Sequence, residues 1–206
     1  MSDTSILFIV SAPSGAGKTS LLRELLAQDE QLSLSVSHTT RAMRPGEENG
    51  VHYHFVDAGT FEGLVEQGAF IEHAKVFDNY YGTSEGAVRD QLVAGRDVVV
   101  EIDWQGARQV RERFPEAVSI FIIPPSIAAL RERLGNRGQD SEEIIERRMR
   151  DAQDELSHYV EYDYLIVNDR FELALRQLGE VVSAERLRGV RQQQRYADVL
   201  REMLSS

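Results

Sequence analysis

Gly15, Gly17, Lys18 and Thr19 are the residues of this chain whose types and spacing most clearly suit chemistry. They stand in the run Ser11-Ala12-Pro13-Ser14-Gly15-Ala16-Gly17-Lys18-Thr19-Ser20-Leu21. Glycines let the backbone curl so that successive N–H groups converge on phosphate oxygens, and a following helix adds the partial positive charge of its N-terminus. A lysine at position 18 reaches the outer phosphates of a triphosphate, and a hydroxyl at position 19 ligates Mg²⁺. The apolar run Ile6-Leu7-Phe8-Ile9-Val10 precedes the motif and reads as a buried parallel strand. Leu21, Leu22, Leu25 and Leu26 follow it on one helix face. Strand, glycine-rich turn and helix form the context in which this motif binds a nucleoside triphosphate. Ala12 replaces the first glycine of the strict pattern, which asks for an ordinary negative φ there.

Other residues offer complementary chemistry. Arg41 and Arg44 lie three apart beside hydroxyl residues and a Pro45-Gly46 turn, an arrangement that suits a small anion as well as a solvated loop. Glu72 sits in an otherwise packing-suited run, so its carboxylate either faces water or has a partner worth its desolvation. In Asp97–Asp103 a period of two puts Val99, Glu101 and Asp103 on one face, with both acids toward the carboxyl end where open α/β sheets bind ligands. An apolar strand ending in Asp also resembles the second signature of phosphate-loop proteins, whose acid works at the Mg²⁺ site. Six arginines (131, 133, 137, 147, 148 and 150) flank Gly135 and Gly138, either as a solvated helical hairpin or as a flap over a triphosphate. His52 and His54 lack a third ligand at a metal-binding spacing.

These residues need elements to position them. Strands are expected at 34–37, 53–56, 70–77, 97–103, 118–123 and 164–167, and helices at 60–67, 84–94, 105–113, 126–134, about 140–159 and 171–188. The pattern gives an α/β fold, a doubly wound five-stranded parallel sheet of the phosphate-loop NTPase type. The short strands within 35–83 interrupt the alternation and mark a candidate substrate domain. Residues 1–34, 84–125 and 160–206 would then form the nucleotide-binding core, and 126–159 a helical lid. The net charge of −11 among 206 residues argues against a nucleic-acid polymer as partner. No apolar run suits a membrane span, and the absence of cysteine fits a reducing cytoplasm.

Taken together, the residues resemble the guanylate kinase family over nearly the whole chain. The segments that carry the resemblance are Ser11–Leu21, Val36–Arg41 through Arg44-Pro45-Gly46-Glu47, Asn79-Tyr80-Tyr81-Gly82-Thr83, Ile102-Asp103-Trp104-Gln105-Gly106 and Ile166-Val167-Asn168-Asp169. The resemblance implies transfer of the γ-phosphoryl of ATP to GMP, with Mg²⁺ as cofactor, Thr19 as its protein ligand and 35–83 as a small α+β GMP-binding insertion. It places Arg41, Arg44, Tyr53 and Tyr81 at the GMP phosphate, and Ser37, Glu72, Thr83 and Asp103 around the guanine. The ATP side would comprise Ala12 through Thr19 with Arg133, Arg137 and Asn168, and the catalytic group Lys18, Arg41, Arg137 and Arg148. Met43 departs from the proline frequent at that place in the family, which costs loop stiffness. Another nucleoside monophosphate kinase, or an inactive guanylate-kinase-like protein-binding module, would share much of this pattern. Tolerance for dGMP and the oligomeric state stay open.

Overall fold

In the computed structural model, residues 4–76, 78–135 and 142–205 are described. Strand β1 (Leu7–Ser11) is buried along its whole length at the centre of the molecule. Its alternate side chains part to opposite faces. Phe8 and Val10 join a core with Leu21, Leu22 and Leu25, while Leu7 and Ile9 join another with Val88, Leu92, Ala107 and Val110. A strand apolar on both faces must be covered on both, which is the condition for a parallel sheet between two helix layers.

That sheet contains β2 (Leu32–Leu34), β7 (Asp97–Glu101), β8 (Val118–Ile123) and β9 (Tyr164–Val167) besides β1. The spatial order is β2-β7-β1-β8-β9, with every pairing parallel. Helices α1 (Lys18–Gln28) and α7 (Phe171–Arg186) supply the first core, and α3 (Glu85–Val93) and α4 (Trp104–Arg113) the second. Local chemistry starts these helices where they are needed. The Ser84 hydroxyl accepts the Ala87 N–H to cap α3, and the Asp103 carboxylate accepts the Gly106 N–H at 2.9 Å to cap α4.

The segment from 38 to 84 forms a second sheet. Strands β3 (His38–Thr39), β4 (His54–Phe55), β5 (Phe70–Val76) and β6 (Asn79–Ser84) pair in the order β4-β3-β6-β5, with β3 and β5 antiparallel to β6. Helix α2 (Ala58–Glu66), capped by Asp57, joins β4 to β5. Beyond β8, α5 (Ile127–Gly135) and α6 (Glu142–Ser157) pack Leu130, Leu134, Ile145, Met149 and Ala152 into a core of their own. Two helices, α8 (Gly189–Arg195) and α9 (Ala197–Leu204), end the described chain. No helix among the described residues is long and apolar enough to cross a membrane.

Two expected strands are corrected. The strand expected at 34–37 lies at Leu32–Leu34 instead, because Ser35 donates to Val99 as the last rung of the core ladder and Ser37 accepts from His54 in the second sheet. Residues 35–37 are therefore the crossing between the sheets. The strand expected to run to Asp103 stops at Glu101, since capping α4 draws Asp103 off the ladder. The expected break around Arg137 and Gly138, and the helix start at Asp140, lie outside the described residues.

Far from the carboxyl ends of the strands, one ion cluster ties the last long helix to the sheet. Arg186 donates to Asp97 at 2.6 Å and to both oxygens of Asp29, while Asp97 also accepts the Ile6 N–H. Arg186→Ala leaves the buried Asp97 carboxylate without its cation. It should cost about 2–4 kcal/mol in urea denaturation, with steady-state kinetics at 25 °C unchanged. A stability equal to the parent's would show that the cluster contributes nothing net.

Candidate active site

The loop between β1 and α1 takes the shape its glycines permit. Gly15 and Gly17 have φ of 90° and 91°, in the left-handed region. Space forbids side chains there as firmly as dihedrals do: a Cβ on Gly17 would lie 2.6 Å from the Asn168 amide nitrogen, and one on Gly15 3.0 Å from Leu130 and Leu134 of α5. Each neighbouring element gives the loop a partner. Asn168, after β9, donates its side-chain amide to the Ala16 carbonyl at 2.7 Å. Thr19 donates its hydroxyl to Glu101 at the end of β7, at 2.6 Å. Lys18 reaches the Ile102 carbonyl at 3.3 Å and stands 3.9 Å from Glu101. The Ser14 N–H points to the Glu155 carboxylate of α6, at 3.2 Å.

Opposite the loop, the second sheet holds a buried acid. Glu72 on β5 is only 3% exposed, yet it faces the cleft. It accepts a hydrogen bond from the Thr83 hydroxyl across the β5–β6 pair. With that proton committed, the Ser37 hydroxyl donates to Thr83 at 3.2 Å, so three side chains form a directed chain ending on the carboxylate. Gly106 in the first turn of α4 admits the other carboxylate oxygen, because a Cβ there would stand 2.6 Å from it. Burial, helped by the negative charge of Asp103, pushes the Glu72 carboxyl up to about 7 against the opposing pull of Thr83 and Lys18. The cavity between loop and acid measures about 290 Å³ and is lined from both sides, by Lys18 and Thr19 as by Ser37, Tyr53, Glu72 and Tyr81.

The arginines lie at the margins. Arg41 makes a two-pronged ion pair with Glu47 at 2.7 and 3.0 Å, and its guanidinium stands 5.4 Å from the centre of the Tyr53 ring. That partner holds Arg41 more firmly protonated and the Glu47 carboxyl below its usual range. Arg44 is exposed, although its backbone N–H also binds Glu47. Arg133 on α5 donates to the Asn168 carbonyl at 2.8 Å, and one of its guanidinium nitrogens is buried without a partner. Arg148 is half-buried on α6. Arg137 lies outside the described residues.

Most residues expected from the sequence therefore surround one cavity: Ala12 through Gly15, Gly17 through Thr19, Ser37, Tyr53, Glu72, Tyr81 and Asp103. Ala16 is fully buried behind it, and Thr83 acts through Glu72. Asn168, expected near the adenine, is buried against the loop backbone and supports it. Two residues without an assigned role join the site, Glu47 and Glu155, together with Glu101, which strand periodicity places at the ligand-binding end. The end of an apolar parallel strand is a readable signal for Glu101. Nothing local marks Glu155, which only the packing of α6 against the loop brings into the cleft.

A parallel sheet with a phosphate loop after its central strand, sharing a cavity with a second small sheet, defines a phosphate-loop nucleotide kinase. Residues 4–185 match the family described as guanylate kinase. Similar curated proteins include the guanylate kinases of Chromohalobacter salexigens, 63% identical over 97% of this chain and 93% of that protein, and Alkalilimnicola ehrlichii, 60% identical over 96% and 98%. A crystal structure of guanylate kinase from Anaplasma phagocytophilum superposes with a TM-score of 0.75 at 36% identity, covering 91% of this chain and 89% of that one. The chain belongs to the guanylate kinase family.

The raised Glu72 carboxyl has a consequence for stability. A folded value near 7 lies above the unfolded value of 4.5, so the native state holds the proton more tightly between these limits. Its stabilising contribution is complete below pH 4.5 and is lost as pH rises through 7. Glu72→Gln removes that loss. The variant should match the parent in urea denaturation near pH 4.5 and exceed it by about 1–3 kcal/mol at pH 8. A difference independent of pH would contradict the burial argument.

Proposed function

We propose that this cleft transfers the γ-phosphoryl group of ATP to a phosphate oxygen of GMP, giving ADP and GDP, and that the residues lining it divide the work as follows. The phosphate loop holds the ATP phosphates, with Lys18 neutralising charge on the outer ones. Glu72, with Ser37 and Thr83 behind it, selects the guanine. Arg41, Arg44, Tyr53 and Tyr81 hold the GMP phosphate at the near edge of the second sheet. Arg133, Arg137 and Arg148 serve the ATP side from the α5–α6 arm, so 35–83 works as a GMP-binding unit and 126–159 as a lid.

The observation that carries this reading is the shared cavity, with Lys18 and Thr19 on one wall and Glu72 on the other. Guanine offers N1–H and N2–H₂ donors side by side, which one carboxylate accepts together. Adenine presents an acceptor at N1 and would leave a buried acid unpaired. Asp103 lies within the same lining and can take the outer N2 hydrogen.

Phosphoryl transfer forms a bond between the γ-phosphorus and a GMP phosphate oxygen and breaks the one to the β–γ bridging oxygen. The electron pair leaves on ADP. No residue has to abstract a proton, because the accepting phosphate is already anionic. Rate enhancement comes from alignment and from fixed positive charge. The Thr19 hydroxyl and Glu101 carboxylate are hard oxygen donors 2.6 Å apart beside the loop, a set that suits Mg²⁺. Thr19 and Glu101 would hold the ion there, and it would supply charge neutralisation for the ATP phosphates.

Glu72→Gln tests the reading. The amide places a donor against guanine's own donors, so kcat/KM for GMP should fall by about 10²–10³, with the dissociation constant for ATP unchanged. Normal handling of GMP by this variant would refute the assignment of the guanine pocket.

A further inference from the structure

The nucleotide reading leaves one carboxylate of the cleft without a task. Glu155 projects from the last turn of α6 into the cavity that contains Lys18, and its Oε2 accepts the Ser14 N–H across 141 residues of sequence. Backbone N–H groups of a phosphate loop and its lysine are arranged for anions. Here the chain itself provides the anion. The charges acting on Glu155 come from three elements: Lys18 draws it toward the ionised form, while Asp103 at the start of α4 and Asp151 on its own helix oppose ionisation. Desolvation outweighs all of them and pushes the carboxyl up to about 7, so the group sits in the cleft at an electrostatic cost.

What anchors α6 makes this contact more than a local one. Immediately after the helix, the His158 ring stacks on Trp104 with centroids 3.8 Å apart, and Arg108 of α4 grips Glu161 with two hydrogen bonds of 2.6 and 2.9 Å. Glu155 stands within one turn of that fixed point, and the opposite end of α6 lies about 20 Å away at about 1.5 Å of rise per residue. A small displacement of the helix at Glu155 is therefore enlarged at its far end.

Resting on the assignment of this cleft to ATP, we propose that Glu155 is an internal competitor for the phosphate subsite: it takes the place of a nucleotide phosphate at the Ser14 N–H, and ATP binds by displacing it and with it the lid helix. The like charges of carboxylate and triphosphate cannot share the loop mouth. The carboxylate keeps the Ser14 donor paired and lies within the electrostatic reach of Lys18. Once phosphates arrive, it is the group with least reason to stay.

Binding of the Mg²⁺ complex of a non-hydrolysable ATP analogue, measured by calorimetry on the full chain, decides the matter. Glu155→Gln keeps the size and an acceptor oxygen but loses the charge, and Glu155→Ala loses both. Each should bind the analogue about 10-fold more tightly than the parent, with the dissociation constant for GMP unmoved. A merely structural role for Glu155 makes the opposite forecast, since damage to the loop weakens ATP binding. Should the alanine variant fail to fold, the glutamine variant gives the answer alone. The chain has no cysteine, so spin labels at Glu30→Cys and Glu143→Cys report the lid without background. In Glu155→Gln without nucleotide, their distance distribution should already overlap that of the liganded parent. Unchanged or weaker analogue binding in both variants overturns the proposal, and a label distance unaffected by the substitution overturns its coupling to the lid. A parent chain that binds no analogue at all would instead sink the assignment of the cleft to ATP, and this inference with it.

Discussion

A loop that must offer backbone N–H groups to a ligand cannot satisfy its own polar groups through a helix or a strand. That constraint governs the architecture. Left alone, a glycine-rich turn would be free to adopt many shapes, and ordering it costs about 1–2 kcal/mol per residue. The fold meets this cost by making the loop the meeting point of elements distant in sequence. The Ala16 carbonyl is taken by an amide 152 residues away, Lys18 by a carbonyl 84 residues away, and Thr19 by a carboxylate 82 residues away. All these partners stand at the carboxyl ends of parallel strands or just beyond them. The sheet order with β1 at its centre is what brings them there.

A second constraint comes from the buried acid across the cleft. Burying a carboxylate is unfavourable unless its lone pairs are met, and Thr83, backed by Ser37, meets only part of that need. The remaining acceptor capacity faces the cavity. A small separate sheet is well suited to this task. The β5–β6 pair places Glu72 and Thr83 in register, the crossing at 35–37 delivers Ser37 to the same spot, and the absence of a side chain at Gly106 lets the carboxylate approach α4. Under the proposed assignment, specificity for a base rests on hydrogen bonds that the wrong base leaves unmade, which discriminates far better than shape in an apolar pocket.

How much of this was legible in the sequence depended on whether the signal was local. The phosphate loop, its strand and its helix could be read because the residues that define them are consecutive. The same holds for the doubly apolar strands of the core. Asp103 was harder: strand periodicity and helix capping both claim an acid at that position, and capping won. Asn168 shows the limit more sharply. Its place after the last strand was readable, but whether its amide turns to the ligand or to the Ala16 carbonyl depends on packing between chain segments 152 residues apart. Arg41 suits a small anion by its type and loop setting, whereas nothing in the sequence shows that Glu47 is the carboxylate that holds it. Glu155 had no signal at all. An acid on an amphipathic helix reads as solvent-facing until the helix is placed against the loop.

The central claim is that one cavity joins a triphosphate loop to a guanine-selecting carboxylate. Its most direct test is a coupled assay of ADP release with ATP as donor and GMP, AMP, UMP or dTMP as acceptor, each at the same concentration. Rapid turnover with GMP, appearing as equal amounts of ADP and GDP and at least about 10²-fold faster than with AMP, is the predicted result. AMP consumed as well as GMP, or no acceptor consumed at all, would contradict it.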